Sequence, residues 1–197
     1  MKPISISLLT VCGVEELPDH AARKVTHVLT LIDPGWPELE AFAAYDEHHR
    51  KIMRFHDIID PAEGKTLPTP EHVAEILAFG EELAASREAR DREGQEGHLL
   101  VHCYMGVSRS TAAMLALLTQ VHRDETEEHL FDRLREIRPR AWPNSLMVGY
   151  VDDQLGRGGR LVEALKRHYG WQLKRDPRYY DWMADLGRQR EIDMAVS

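Results

Sequence analysis

The alternation of apolar and polar positions lays out strands and helices along this chain. Ile4, Ile6 and Leu8 alternate with serines and lead into Leu9 and Val11, which predicts a first strand over 4–11. Val25 to Ile32 (VTHVLTLI), rich in β-branched residues and closed by Asp33-Pro34-Gly35-Trp36-Pro37, predicts a second, with a short helix over 14–24 between them. A charged segment over 38–51 carries Leu39, Phe42 and Tyr45 at helical spacing, and Ile52-Met53-Arg54-Phe55 reads as a short strand. Pro61, Gly64, Pro68 and Pro70 mark 56–70 as a loop. Thr69-Pro70 opens a helix whose apolar face is Val73, Ile76, Leu77, Phe79 and Leu83, and whose charged continuation over 86–97 is expected to emerge into solvent.

Leu99, Leu100 and Val101 read as a buried strand, and Thr111 to Leu118 as a buried helix. An amphipathic helix over 125–137 stops before Pro139, and Pro143-Asn144 begins another through Leu146, Val148 and Tyr150. Gly156-Arg157-Gly158-Gly159 interrupts the chain, and 161–169 and 177–194 look helical beyond it. Strands alternating with helices predict an α/β fold: a central, mostly parallel sheet with helices on both faces, and a helical C-terminal extension. The expected division is a main domain over 1–156 and an extension over 157–197 packed on or attached to it.

Composition narrows the partners. A net charge of −8, from 25 Lys and Arg against 33 Asp and Glu, argues against a broad nucleic-acid or anionic-membrane surface, yet permits one local phosphate pocket. Cys12 and Cys103 are too far apart in sequence to suggest a disulfide framework or zinc spacing, which fits a reducing compartment. A secretion signal ending at Cys12 is opposed by Ser5, Ser7 and Thr10 inside the apolar run and by Val11 at the cleavage position, so a cytoplasmic location is expected. None of the segments is apolar over the roughly 20 residues that a membrane-spanning helix needs. Of the eleven histidines, His48, His49 and His56 lie near one another without zinc-helix spacing and read as surface residues; no metal or cofactor is expected. Tyr179, Tyr180, Trp182 and Met183 suit either a partner surface or a helix packing its aromatic side on the domain.

The chemistry concentrates where the strand 99–101 meets the helix 111–118, in His102-Cys103-Tyr104-Met105-Gly106-Val107-Ser108-Arg109-Ser110. Backbone amides and the helix N-terminus converge there, which makes an anion site before any side chain is counted. Arg109 adds a planar fork for two oxygens of one phosphate, and Cys103 a nucleophile whose ionised form such a position favours. Gly106 suits the sharp turn, Ser110 is placed to donate a hydrogen bond to the sulfur, and His102 to buttress the loop. Cys12 reads as a buried inert thiol, with a protective disulfide to Cys103 as the other reading.

His102-Cys103, five residues and Arg109-Ser110 resemble the signature of the cysteine-dependent protein tyrosine phosphatase superfamily, and Gly106-Val107-Ser108-Arg109-Ser110 looks like its dual-specificity branch. Weaker likeness extends over 4–155: Val25 to Ile32 to an early strand, Phe79 to the helix before the catalytic strand, and Arg138-Pro139 through Pro143-Asn144 to the segment after the catalytic helices. The resemblance implies the fold of that superfamily and a metal-free hydrolysis through a cysteinyl-phosphate. Cys103 would attack phosphorus, Arg109 and the loop residues Tyr104, Met105, Gly106, Val107 and Ser108 would bind the phosphate, and Ser110 would ease departure of the thiolate. The proton for the leaving oxygen would come from Asp57, with Asp60 as the alternative; Glu63 lies further along the same loop. A phosphorylated protein, or a small phosphomonoester, is the expected substrate, since the loop lacks the lysines of phosphoinositide-directed relatives. A sulfur- or arsenate-handling enzyme and a silent phosphopeptide-binding module are the competing readings.

Overall fold

In a computed structural model the described residues are 6–86 and 96–196; Ile4 of the expected first strand, and most of the charged stretch after Ser86, lie outside them. Four parallel strands form one sheet in the order β1-β4-β2-β3: β1 Ile6–Cys12, β2 His27–Ile32, β3 His49–Arg54 and β4 Gly97–His102. The central strands β2 and β4 are buried along their whole length, as a parallel sheet covered on both faces requires, whereas β3 at the edge is largely exposed. Its exposure explains why β3 begins three residues earlier than expected: His49, Arg50 and Lys51 sit on an edge where polar residues cost nothing.

The two sheet faces are covered differently. Leu29, Leu31, Met53, Leu99 and Val101 face the α-helices, and Val28, Leu100 and Cys12 face Leu17 and Phe42 on two 3₁₀ helices, Val14–Arg23 and Glu40–Ala44. Only five residues of the charged segment 38–51 are helical, yet Leu39, Phe42 and Tyr45 still turn to the sheet. On the other face lie α1 Pro70–Ala85, α2 Arg109–Val121, α3 Glu127–Ile137, α4 Ser145–Gln154 and α5 Arg160–Arg175. Thr69 caps α1, and Val73, Ile76, Phe79 and Leu83 are buried at its helical spacing. Helix α2 is buried from Arg109 to Gln120, so each of its leucines contributes ~1.5–3 kcal/mol of apolar burial.

The expected helix over 177–194 is two, α6 Tyr179–Asp185 and α7 Gln189–Asp193, because Gly187 turns left-handed at φ +71° between them. Gly187 N donates to Ala184 O (2.9 Å) and Arg188 N to Met183 O (2.8 Å), a paired C-terminal cap that fixes where Arg188 points. Tyr179 and Met183 are buried in the same core as Trp142, whose ring stacks on Tyr169 at 4.2 Å, while Tyr180 is exposed. No helix among the described residues is long and apolar enough to cross a membrane.

Two buried histidines make the fold sensitive to acid. His168 on α5 donates from Nε2 to Ala141 O (2.9 Å) and accepts from Arg135 Nη1 at Nδ1 (3.2 Å), and burial pushes its pKa down to about 4. Burial likewise lowers His102 to about 3. Below the ordinary value of about 6.5 the unfolded chain binds protons that the folded chain refuses, so stability is lost as pH falls. The expected cost is roughly 2 kcal/mol per histidine by pH 4.5. Thermal midpoints measured from pH 7 to 4.5 should fall, and His168→Gln should flatten the slope; an unchanged slope contradicts the assignment.

Candidate active site

Strand β4 runs between β1 and β2, and its carboxyl end delivers the loop 103–108 to the edge where open parallel sheets place their ligand sites. His102, its last residue, is anchored by Thr30 Oγ1 at 2.7 Å from Nε2 and by the Phe42 ring at 5.5 Å. The loop then presses against the end of β1: a Cβ on Gly106 would meet Cys12 C at 2.4 Å and Gly13 N at 2.6 Å. Its φ of +66° adds a second reason for glycine there.

The loop's carbonyls are drawn outward. Val14 N donates to Tyr104 O (2.9 Å), Arg138 Nη2 to Met105 O (3.1 Å), Arg138 Nε to Gly106 O (2.8 Å), and Trp142 N to Val107 O (2.8 Å). Thr111 Oγ1 donates to Ser108 O (2.9 Å). Glu16 holds Arg138 in that position through two bonds of 2.8 and 2.6 Å, and Arg138 in turn keeps the Glu16 carboxyl below its usual range. With the carbonyls engaged outward, none of the amides from Tyr104 to Arg109 donates to an acceptor among the described residues, which leaves them for an anion in the concavity.

Cys103 is buried at the start of the loop, with Ser110 Oγ 3.1 Å from its sulfur. Arg109 opens α2 and is also buried; Nη1 donates to Asp33 Oδ1 and Phe55 O, both at 2.6 Å. Its Nε is buried without a hydrogen-bond partner. The Nε–Nη2 edge is therefore the one free to grip two phosphate oxygens. Cys12 is buried and free, its thiol pushed up to about 12 by burial and by Glu16.

Asp57 follows β3 and leans over this loop. Its Oδ1 accepts from Ser108 Oγ (2.7 Å), Asn144 Nδ2 (3.1 Å) and Arg188 Nη2, while Oδ2 lies 4.0 Å from Arg109 Nε. Burial raises the Asp57 carboxyl, but Arg188, Arg109 and the Ser108 and Asn144 hydrogen bonds outweigh it and hold the group below the usual carboxylate range. Asp60 instead points outward, paired with Arg190 at 2.9 Å. A cavity of about 370 Å³ opens over the loop, walled by Trp36, Tyr104, Met183 and Leu186. The Trp36 and Tyr104 rings meet edge to face at 5.3 Å.

The structure thus gathers Cys103, Arg109, Ser110, Ser108 and Asp57, with Tyr104, Met105 and Val107 lining the cavity and Gly106 on the side of the loop packed against β1. It adds four groups that sequence reasoning did not reach: Asp33 on Arg109, the Glu16–Arg138 pair behind the loop, Asn144 on Asp57, and Arg188 from the C-terminal end. The one available signal was Arg138-Pro139 through Pro143-Asn144, legible as a segment but not as contacts; nothing in the sequence pointed to Arg188. Among the described residues no group of three or more His, Cys, Asp or Glu is arranged to hold a metal ion.

No family model matches the chain. Over 155 residues, 77% of its length, it is 39% identical to protein phosphatase Slingshot homolog 3 of Homo sapiens, of which it covers 19%. Over 88 residues, 44% of its length, it is 33% identical to dual specificity protein phosphatase 2 of Mus musculus, covering 27% of that protein. The chain therefore spans about a quarter or less of these curated relatives. The solved structure of DUSP15 has the same fold, with a TM-score of 0.54 at 19% identity over 84% of this chain and 94% of that one.

Proposed function

We propose that this chain, which shares the sequence likeness and fold of the dual-specificity-like branch of the cysteine-dependent phosphatases, is a phosphomonoesterase that works without a metal ion through a cysteinyl-phosphate. The observation that carries this reading is the meeting of three functions at one loop: a sulfur 3.1 Å from a hydroxyl, a cradle of free amides beside the open edge of Arg109, and the Asp57 carboxyl 4.0 Å from that edge. In the first step the Cys103 thiolate attacks phosphorus in line, and the S–P bond forms as the bond to the leaving oxygen breaks. The amides of residues 104–109 and Arg109 hold the equatorial oxygens, where charge accumulates. Asp57 gives its proton to the leaving oxygen from Oδ2, since Oδ1 already accepts three hydrogen bonds. An arriving phosphate engages Arg109 and repels the carboxylate, so binding itself favours protonation of Asp57. In the second step water attacks phosphorus, Asp57 takes its proton, and the Cys103 thiolate leaves, accepting a hydrogen bond from Ser110.

Asp57 rather than Asp60 is the acid in this reading, because Asp60 is committed to Arg190 on the outer side of the loop. The substrate is a phosphorylated protein, Tyr with or without Ser or Thr, and the apolar walls at Trp36, Tyr104, Met183 and Leu186 suit the ring of an aryl phosphate. A small phosphomonoester fits the same chemistry. A reducing, cytoplasmic setting agrees with two free thiols. The test is turnover of an aryl phosphate in excess chelator, with vanadate as competitor. Chelator-resistant release of phosphate, blocked by vanadate, is expected; a strict need for an added divalent ion, or a persulfide as product, overturns the reading.

A further inference from the structure

We propose that Arg188, delivered by the turn between α6 and α7, is a positioning residue for the first chemical step: it ties the Asp57 loop to the Cys103 loop and keeps Oδ2 of Asp57 on the side of the reacting phosphate. The proposal rests on the reading of Asp57 as the acid. Arg188 is buried, and its Nη2 donates to Asp57 O (2.8 Å), to Asp57 Oδ1 and to Ser108 Oγ (3.3 Å). One nitrogen thus touches the backbone and side chain of the acid loop and the last residue of the phosphate loop. With Oδ1 occupied by Arg188, Ser108 and Asn144, the carboxyl cannot turn without breaking three bonds, and Oδ2 stays beside Arg109.

Arg188 is itself fixed from both ends. The Gly187 cap sets its backbone, and Nη1 faces Glu191 Oε1 at 3.5 Å. Glu191 is fully buried and anchored by Trp142 Nε1 and Ser145 N, each at 2.7 Å. Two residues on, Arg190 Nη2 donates to Ile59 O (2.6 Å) and pairs with Asp60 (2.9 Å), so the loop is tied at a second point by the same turn. A side chain that only filled space would not need a buried counter-charge, a backbone carbonyl and a carboxylate on one guanidinium. The charged and titratable groups around Asp57 are Arg188 with Glu191 behind it, Arg109 at the start of α2, Asp33 across Arg109, and His56 and Lys65 on its own loop. Removing Arg188 takes away the nearest cation, which raises the affinity of Asp57 for its proton while freeing the carboxyl to rotate.

The experiment compares Arg188→Met, Arg188→Lys and Asp57→Asn with two substrates, 4-nitrophenyl phosphate, whose leaving group needs little proton donation, and phenyl phosphate, whose leaving group needs it. Arg188→Met should keep kcat/KM for the first, which reports formation of the cysteinyl-phosphate and not its hydrolysis, within about threefold and lose about 10- to 100-fold for the second, in the direction of Asp57→Asn, as loss of a positioned acid predicts. Its descending pH limb with phenyl phosphate should move to higher pH. Arg188→Lys keeps the buried charge and so the fold; it cannot span all three acceptors, and a several-fold loss confined to phenyl phosphate is expected. Equal losses on both substrates in the Met and Lys variants, with Asp57→Asn still discriminating, overturn the positioning role and leave the acid assignment standing. If Asp57→Asn does not discriminate, the acid assignment fails and the proposal fails with it.

Discussion

Cys103→Ser is expected to reduce turnover of aryl phosphates by about 10⁴- to 10⁶-fold, the scale seen when a covalent nucleophile is removed. The serine hydroxyl must lose a proton to attack, and no base is hydrogen-bonded at that position among the described residues: the sulfur's partner is the Ser110 hydroxyl at 3.1 Å, and Asp57 is committed to Arg188, Ser108 and Asn144. The cradle is independent of the sulfur. Its carbonyls are held by Val14, Arg138, Trp142 and Thr111, and Arg109 by Asp33 and Phe55, none of which changes in the variant. Calorimetric titration with inorganic phosphate should therefore show affinity within a few-fold of the parent protein while kcat collapses. Turnover that survives in Cys103→Ser refutes the nucleophile.

The second large effect is at Arg109. Arg109→Lys keeps one positive charge but replaces a planar fork with a point donor. It cannot hold Asp33 and Phe55 O from one side while presenting a two-pronged edge to phosphate from the other. Donors aimed at charge that develops in the transition state are worth about 10²- to 10³-fold each, and the lysine forfeits that edge. The expected loss in kcat/KM is about 10³-fold, largest in kcat. A variant within tenfold of the parent would mean that Arg109 serves chiefly to bind Asp33.

The parts of this molecule that local sequence determines were legible in it. Six of the eight residues from Val25 to Ile32, His27–Ile32, and the run Leu99 to Val101 lie in the central strands because both sheet faces there are covered, and Thr69-Pro70 and Asn144 mark true helix starts because capping is a local event. The loop from Cys103 to Arg109 was readable for the same reason: strand, turn and helix N-terminus are consecutive. What was not readable depends on pairs far apart in the chain. Arg138 reaches Glu16 across 122 positions and Arg188 reaches Asp57 across 131, and each arginine looks like surface charge until the fold brings its partner. Edge exposure hid the start of β3, and Gly187 split a segment whose apolar spacing suggested one continuous helix.

The central claim is that phosphorus passes through the sulfur of Cys103. Ser110→Ala should slow departure of the thiolate and let the intermediate accumulate, because the hydroxyl 3.1 Å from the sulfur is lost. The decisive measurement is acid quench of that variant during turnover of an aryl phosphate, followed by mass spectrometry of its peptides. A phosphoryl group mapped to Cys103, absent when Cys103→Ser is added, is the predicted result. A phosphoryl group on another residue, or undiminished turnover with Cys103 replaced, would contradict it.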